Sequence, residues 1–290
     1  MLEKPSCCKV NLLLNILGKR PDGFHELETL MHPVNLCDRL SFDRVGTGIQ
    51  LTCNDPALAT NSGNLVCRAA ALFLKAAGIE EGVRIHLEKR IPIAAGLGGG
   101  SGNAATTLLA LNELFGRPLT PAQLTDLAAG LGSDIPFFLQ SEPALATGRG
   151  EVIQPIPFFT SLQATYIVLV HPGFGISTAW AYQQLQRFPQ AQNGQPGRAA
   201  RVISLLRAGD QIGAGKEFYN SLEAPALTKY PLLKLFQQFF RENGAWAALM
   251  SGSGSTTFAL AESKAAAEQL LERFKAQFGS QFWMATLKLN

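Results

Sequence analysis

Charge is scarce in this chain. Only 16% of its 290 residues are Asp, Glu, Lys or Arg, against roughly a quarter in an average globular domain. The 25 basic and 22 acidic side chains are interspersed and leave a formal net charge of +3. There is no block of like charge with which to hold a nucleic acid or a membrane surface. No run of apolar residues reaches the roughly 18 that a spanning helix needs. The five cysteines (Cys7, Cys8, Cys37, Cys53 and Cys67) are odd in number, two are adjacent, and none form a Cys-x-x-Cys pair. That pattern speaks against a disulfide framework or a zinc site and predicts buried, reduced thiols. Nothing reads as a secretory leader: Lys4 and Pro5 come early, and "VNLLLNIL" runs into "GKRPDG" rather than a small-residue cleavage site. Repeats and low-complexity segments are missing too. The expectation is a cytoplasmic protein, monomer or homodimer, acting on a small molecule without a nucleic-acid or membrane partner.

Apolar residues make up 47% of the chain, enough for one large domain or two smaller ones. "CKVNLLLNILGK" reads as a strand, "RPDGFHELETL" as a turn, and "RLSFDRV" and "GIQLTC" as short strands. "SGNLVCRAAALFLKAAG" predicts a helix capped by Asn64 and ended by Gly78. "VRIHLEKRI" alternates like a half-buried strand. Helices are expected at about 103–115, where Ala104, Leu108, Leu111 and Phe115 share a face, and at about 121–131. The second half runs "ATYIVLVHP", helical segments interrupted by the polar loop "FPQAQNGQPGRAA", "WAALMSGSGSTTFALA", "ESKAAAEQLLERFKAQF" and "FWMATLKL". Allowing for extra helices, that is the β-α-β-β-α-β order of a split βαβ sandwich. The reading is a mixed α/β (α+β) chain of two domains, 1–158 and 159–290, with the boundary in "QPIPFFTSLQ".

The most unusual stretch is "PIAAGLGGGSG", Pro92 to Gly102. Five of the eight residues from Ala95 to Gly102 are glycine, although each glycine costs roughly 0.5–1 kcal/mol relative to alanine in regular structure. A Walker loop is excluded, because neither Gly18-Lys19 nor Gly215-Lys216 is followed by Ser or Thr. The dinucleotide fingerprint fails as well: its sixth position falls on Ser101 or Asn103. A strand, bare backbone and a helix start still describe an anion cradle, since the first helical N–H groups are unpartnered and the helix dipole adds about half a positive charge there. Ser101 adds a hydroxyl for a phosphate oxygen, a metal ion or a plain helix cap. The plainer alternative is a flexible connector capped by Ser101.

Two charged residues bear on chemistry. Lys9 lies inside the apolar "CCKVNLLL"; its first reading is a strand-edge lysine with its ammonium in solvent, its second a cation held near a carboxylate or phosphate. Asp134, in "GSDIPFFL", reads either as a helix N-cap or as a carboxylate at a helix start facing a cleft. An Asp–Lys pair beside a polyphosphate loop is what phosphoryl transfer to an alcohol uses. His32, His86 and His171 lack metal-ligand spacing and read as structural.

Taken together these segments resemble a known group. "PIAAGLGGGSGNAAT" resembles the phosphate loop of the GHMP kinases, the superfamily of galactokinase, homoserine, mevalonate and phosphomevalonate kinases. "MSGSGSTTFAL" resembles its C-terminal glycine motif. "CKVNLLLNILGKRPDGFHELETLMHPVNLCDRL", "GSDIPFFL" and "ATGRGEVI" resemble segments of a narrower branch, whose acceptor is the cytidyl diphosphate of methylerythritol in the non-mevalonate isoprenoid route. The likeness spans Pro5 to Leu260.

That resemblance implies a two-domain kinase fold, with an N-terminal α/β and a C-terminal ferredoxin-like domain, ATP and Mg²⁺ as cofactors, and phosphorylation of the C2 hydroxyl. It implies Asp134 as base and Lys9 as its electrostatic partner. Pro92, Ile93, Ala94, Ala95, Gly96, Leu97, Gly98, Gly99, Gly100, Ser101 and Gly102 would form the ATP loop. Phe24 would stack on the cytosine ring, His25 would read its edge, and Asn11 would lie beside the sugar alcohol. Read without the resemblance, "DGFHEL" is either a turn with Phe24 in the core and His25 on the surface, or an aromatic beside a hydrogen-bonding imidazole that can sandwich and read a base. Gly252 and Ser253 either approach the ligands or form a tight hairpin. Metal ligands are not legible. Departures are Gly102 for a usual serine, Cys8 for alanine and Phe24 for tyrosine. The alternatives are another GHMP-type kinase acting on homoserine, mevalonate or a sugar, or a nucleotide-binding protein without catalysis.

Overall fold

In the computed structural model, which describes residues 1–289, the chain forms two compact units interleaved in sequence. One comprises Met1–Cys8, Leu36–Ile93 and Gly98–Ser141; the other comprises Lys9–Asn35, Ala94–Leu97 and everything from Glu142 on. Two long strands, β1 (Leu2–Lys19) and β2 (His25–Val45), contribute residues to both. The expected turn at "RPDGFHELETL" is therefore confined to its first five residues, and His25 already begins a strand. From Leu27 to His32 every residue is buried, so the alternation that marks a one-faced strand is missing.

In the first unit follow β3 (Ile49–Cys53), α1 (Leu65–Ala77), β4 (Gly82–Glu88), α2 (Gly99–Leu114) and α3 (Pro121–Leu131). β4 pairs antiparallel with Arg39–Val45 of β2 and parallel with β3. Asn64 caps α1 by accepting the Val66 N–H at 2.8 Å, and Gly78 ends it with φ +65°. Thr120 and Gln123 make a capping box on α3, with Pro121 as its first residue. Val66, Ala70 and Phe73 of α1 pack with Leu108 and Leu111 of α2 over Phe42, Ile85 and Leu87 of the sheet.

Two expectations are corrected here. α2 begins at Gly99, four residues before the expected Asn103, and its cap is Gly98 at φ +72° with no side-chain hydrogen bond, so Ser101 is not the cap. Glycine's poor helix propensity is overridden by close packing. A Cβ at Gly99 would stand 3.0 Å from Ile91 Cγ2, and one at Gly102 3.0 Å from the Cys7 carbonyl and 3.1 Å from Ser6 Oγ. The cysteines are not all reduced either. Cys7 and Cys37 form a disulfide across 30 residues of chain, while Cys8, Cys53 and Cys67 are thiols outside it. Spacing along the chain cannot reveal such a pair, because the fold alone sets β1 and β2 side by side.

The second unit adds β5 (Ala144–Thr147), β6 (Val152–Pro155), β7 (Tyr166–His171), α4 (Thr178–Gln184), α5 (Pro189–Gln192), α6 (Arg198–Arg207), α7 (Gln211–Glu217), β8 (Tyr219–Asn220), α8 (Glu223–Lys229), α9 (Pro231–Glu242), β9 (Ala247–Met250), β10 (Thr257–Ala261), α10 (Lys264–Phe278) and β11 (Trp283–Lys288). The stretch expected as a polar loop thus contains the one-turn α5. The last sheet has strand order β11-β7-β10-β9 with every pair antiparallel, the order of the expected split βαβ sandwich. Its helices α9 and α10 bury an aromatic cluster: Phe236, Phe240 and Phe274 are fully buried, and the Phe236 and Phe274 rings meet edge-on at 4.8 Å. Among the described residues no helix is long and apolar enough to cross a membrane.

Candidate active site

β1 is buried on both faces from Cys8 to Ile16, and Lys9 is carried into that run at 2% exposure. The solvent-reaching lysine is thereby excluded. Its Nζ donates to the Gly96 carbonyl at 3.1 Å and to Asn11 Oδ1, and its backbone N–H donates to the Leu97 carbonyl at 3.0 Å. Asn11 has no freedom to turn its amide over. Its Nδ2 donates to Thr29 Oγ1 at 2.8 Å, and Thr29 Oγ1 donates onward to the Leu13 carbonyl at 2.6 Å. The Asn11 oxygen must face the ammonium, a charge-assisted arrangement.

Ala94 and Gly96, at the apex of the loop, have φ of +54° and +78°. The apex rests on the second glycine motif: Ser251 Oγ donates to the Gly96 carbonyl at 3.0 Å, and the Thr256 N–H donates to the Ala95 carbonyl at 3.1 Å. A Cβ on Gly96 would fall 2.0 Å from the Ser251 carbonyl. Gly96 is thus required by the protein's own backbone, whichever ligand the loop serves. Gly252, at φ +56°, packs so closely that a Cβ there would lie 3.2 Å from Lys9 Nζ. Ser253 shares a 2.9 Å hydrogen bond with Thr178.

The Arg20–Phe24 turn is closed by the Arg20 N–H on the Phe24 carbonyl at 2.8 Å and pinned by Arg20 on Asp22 and Glu26. Phe24 is 49% exposed, with the Arg149 guanidinium 4.8 Å from its ring centre. His25 is half-buried with its ring 5.2 Å from that of Tyr182. Phe24 is therefore not the core residue of the plain reading, and His25 is more enclosed than a plain surface residue. Burial first, and then the Lys19 charge, lower the His25 pKa, so the imidazole is neutral at pH 7. Its Nε2 is buried and has no hydrogen-bond partner. Tyr182 escaped sequence reading because only the fold brings α4 to the start of β2.

In the other unit, Asp134 is half-buried in the turn between α3 and a short 3₁₀ segment, Pro136–Leu139. The N-cap position of that segment is Ile135, with no side-chain hydrogen bond, so Asp134 is not its N-cap. Pro92 and Ile93 bring the chain into the loop, and their approach is anchored by a residue the sequence did not flag. Asp38, fully buried, accepts the backbone N–H groups of Arg90 and Ile91 at 2.7 and 2.9 Å and is ion-paired with Lys89 Nζ. Lys89 Nζ lies 3.3 Å from where a Cβ of Gly99 would be. The N–H groups of Gly99, Gly100 and Ser101 open α2 with no side chain capping them. Gly100 is exposed. No group of three or more acidic, His or Cys side chains that could hold a metal ion occurs among the described residues.

Residues 64–142 match the family model of the GHMP kinases N terminal domain, and residues 202–280 that of the GHMP kinases C terminal. The chain is 40% identical over 282 residues to 4-diphosphocytidyl-2-C-methyl-D-erythritol kinase of Synechococcus sp. (strain JA-3-3Ab), covering 95% of this chain and 90% of that one. It is 38% identical over 291 residues to the enzyme of the same name from Syntrophomonas wolfei subsp. wolfei, covering 99% and 98%. A crystal structure of 4-(cytidine 5'-diphospho)-2C-methyl-D-erythritol kinase superposes with a TM-score of 0.78 at 37% identity, covering 99% of each chain. With both GHMP domains matched and this identity sustained along nearly its whole length, the chain belongs to the 4-diphosphocytidyl-2-C-methyl-D-erythritol kinase family of ATP-dependent GHMP kinases.

Proposed function

We propose that the protein transfers the γ-phosphoryl group of ATP to the C2 hydroxyl of 4-diphosphocytidyl-2-C-methyl-D-erythritol, giving the 2-phosphate and ADP in non-mevalonate isoprenoid precursor synthesis. The observation that carries this reading is the buried Lys9 ammonium, held on the carbonyl of Gly96 at the apex of the glycine loop. A buried cation is costly unless it is paired and used. Here it would steady the charge that develops on the phosphoryl group and on the base. Asp134 would accept the hydroxyl proton. The loop Pro92–Gly102 would cradle the triphosphate, with the uncapped start of α2 supplying N–H donors and dipole. Bound Mg²⁺ would neutralise triphosphate charge, and the ion keeps mostly phosphate and water ligands in such sites. Ser101, half-buried in the first turn of α2, would serve it or a phosphate oxygen with its hydroxyl.

On the acceptor side, Phe24 offers a ring face for the cytosine. His25 offers an unpartnered Nε2 in a neutral imidazole, with Tyr182 beside it. Asn11 would meet the sugar alcohol. An aliphatic acceptor such as homoserine or mevalonate gives no use to this aromatic and imidazole group.

The test is ADP release from ATP and Mg²⁺ with the cytidyl acceptor, run beside mevalonate, homoserine and galactose. Turnover is expected with the cytidyl acceptor alone, and Asp134→Ala should lower kcat by about 100-fold or more while ATP binding persists. Turnover with another alcohol would discard the substrate assignment and keep the kinase. ATP binding without turnover of any acceptor would discard the kinase.

A further inference from the structure

We infer that Asn220 is a positioning residue for the transfer step, holding the second glycine turn against the apex of the first; the inference rests on the kinase reading above. Asn220 is 1% exposed and forms half of the two-residue strand β8. β8 lies parallel to β1, with Asn220 in register with Leu14. Two further bonds fix it there: the Ser221 N–H donates to the Leu14 carbonyl at 2.8 Å, and the Ile16 N–H donates to Ser221 Oγ at 3.0 Å. The strand that carries Lys9 and Asn11 therefore also sets the place of Asn220.

From that place the amide reaches across to residues 250–252. Its Nδ2 donates to the carbonyls of Met250 at 2.8 Å and Gly252 at 2.7 Å, and its Oδ1 accepts the Leu222 N–H at 2.9 Å. Both N–H bonds are used, so this position needs a primary amide; an aspartate of the same shape offers no donor at neutral pH. The two carbonyls bracket Ser251, whose Oγ donates to the Gly96 carbonyl. That same carbonyl accepts from Lys9 Nζ. The backbone of Gly252 is pressed against Gly96 and the ammonium, with a Cβ there falling 2.8 Å from the Gly96 carbonyl and 3.2 Å from Nζ. Any displacement of the turn passes directly to the loop apex and to Lys9, and small misplacements of reacting groups cost rate rather than binding.

The test is Asn220→Asp, with the fold checked by circular dichroism and kcat and KM measured from pH 8 down to 6. Carboxylate oxygens against two carbonyls repel and release the turn. The expected result is a kcat about 30-fold lower at pH 8 with KM for ATP and acceptor within about threefold of wild type. As pH falls, the buried carboxyl takes up a proton and can donate to one carbonyl, so the wild-type-to-variant kcat ratio should shrink. A role in stability alone would lower the melting temperature without this split or this pH dependence. A folded variant with kcat within about threefold of wild type throughout overturns the inference. If Asn220→Asp does not fold, Ser251→Ala decides: it removes only the next link, and an unchanged kcat overturns the inference while a severalfold loss at constant KM supports it. Wild type is assayed alongside on the cytidyl acceptor, mevalonate, homoserine and galactose. A wild type inactive on all four overturns the kinase reading and this inference together, whereas an active wild type matched by an equally active variant overturns the positioning role alone.

Discussion

A neutral imidazole with one buried, unpartnered nitrogen is costly to keep unless a ligand completes it, since an unsatisfied buried polar atom costs roughly 1–3 kcal/mol. His25 is such a group. If its Nε2 pairs with the edge of the cytosine, His25→Ala should raise KM for the cytidyl acceptor about tenfold or more and leave KM for ATP within about twofold. Equal changes in both constants, measured by steady-state kinetics, would argue for a general loss of structure. At this scale legibility was uneven. Lys9 stands out in the sequence as a cation in an apolar run, but its burial does not, because a strand covered on both faces shows no alternation. Asn220, Tyr182 and Asp38 are ordinary residues in ordinary stretches. What singles them out is a partner 30, 157 or 52 positions away, at Met250, His25 and Arg90.

Secondary elements were read best where local chemistry decides them. The Asn64 cap of α1 and the Gly78 that ends it are written in a few adjacent residues. The β-α-β-β-α-β succession is legible in hydrophobic periodicity, and the sheet order β11-β7-β10-β9 is the one that succession implies for a split βαβ sandwich. α2 starts earlier than expected because packing against Ile91, Cys7 and Ser6 overrules glycine's propensity, and β2 starts earlier because the polar-looking "HELET" carries three buried residues, Leu27, Glu28 and Thr29, the last of them paired with Ala146 of β5. The α9–α10 pair supplies its own stability test. Phe274 is fully buried, stacked on Phe240 at 5.3 Å and edge-on to Phe236. Phe274→Ala should cost about 3–5 kcal/mol, read as a lower midpoint in urea unfolding.

For the molecule as a whole, two buried groups give opposing dependences of stability on pH. His32 is fully buried, with Nδ1 on the Pro33 carbonyl at 2.8 Å, and burial pushes its pKa down to about 4 from 6.5. Between those values the unfolded chain binds the extra proton, so stability is complete above pH 6.5 and falls by roughly 3 kcal/mol as pH drops toward 4. Glu223 runs the other way. Burial raises its pKa to about 7, against the opposing pull of the Met250 N–H, Gln237 and Arg241. There the folded state holds the proton, and stability declines as pH rises from 4.5 to 7. Where the windows overlap the two offset each other. Glu223→Gln should therefore unmask His32 and give urea midpoints that climb with pH between 4.5 and 6.5 more steeply than those of wild type.

The Cys7–Cys37 bond also changes the topology of the polypeptide. It closes a covalent ring, and Lys9, Asn11, Phe24, His25 and Thr29 all lie on its circumference. The ring's outermost arc is the exposed stretch at Lys19 and Pro21–Phe24. A protease that cuts after Lys19 opens the ring without releasing a piece: residues 1–19 stay tethered through sulfur to the remainder. Limited trypsin digestion should therefore leave this nick invisible on a denaturing gel run without reductant. The short N-terminal fragment should separate once dithiothreitol is added, and its separation without reductant would mean that the ring is not closed.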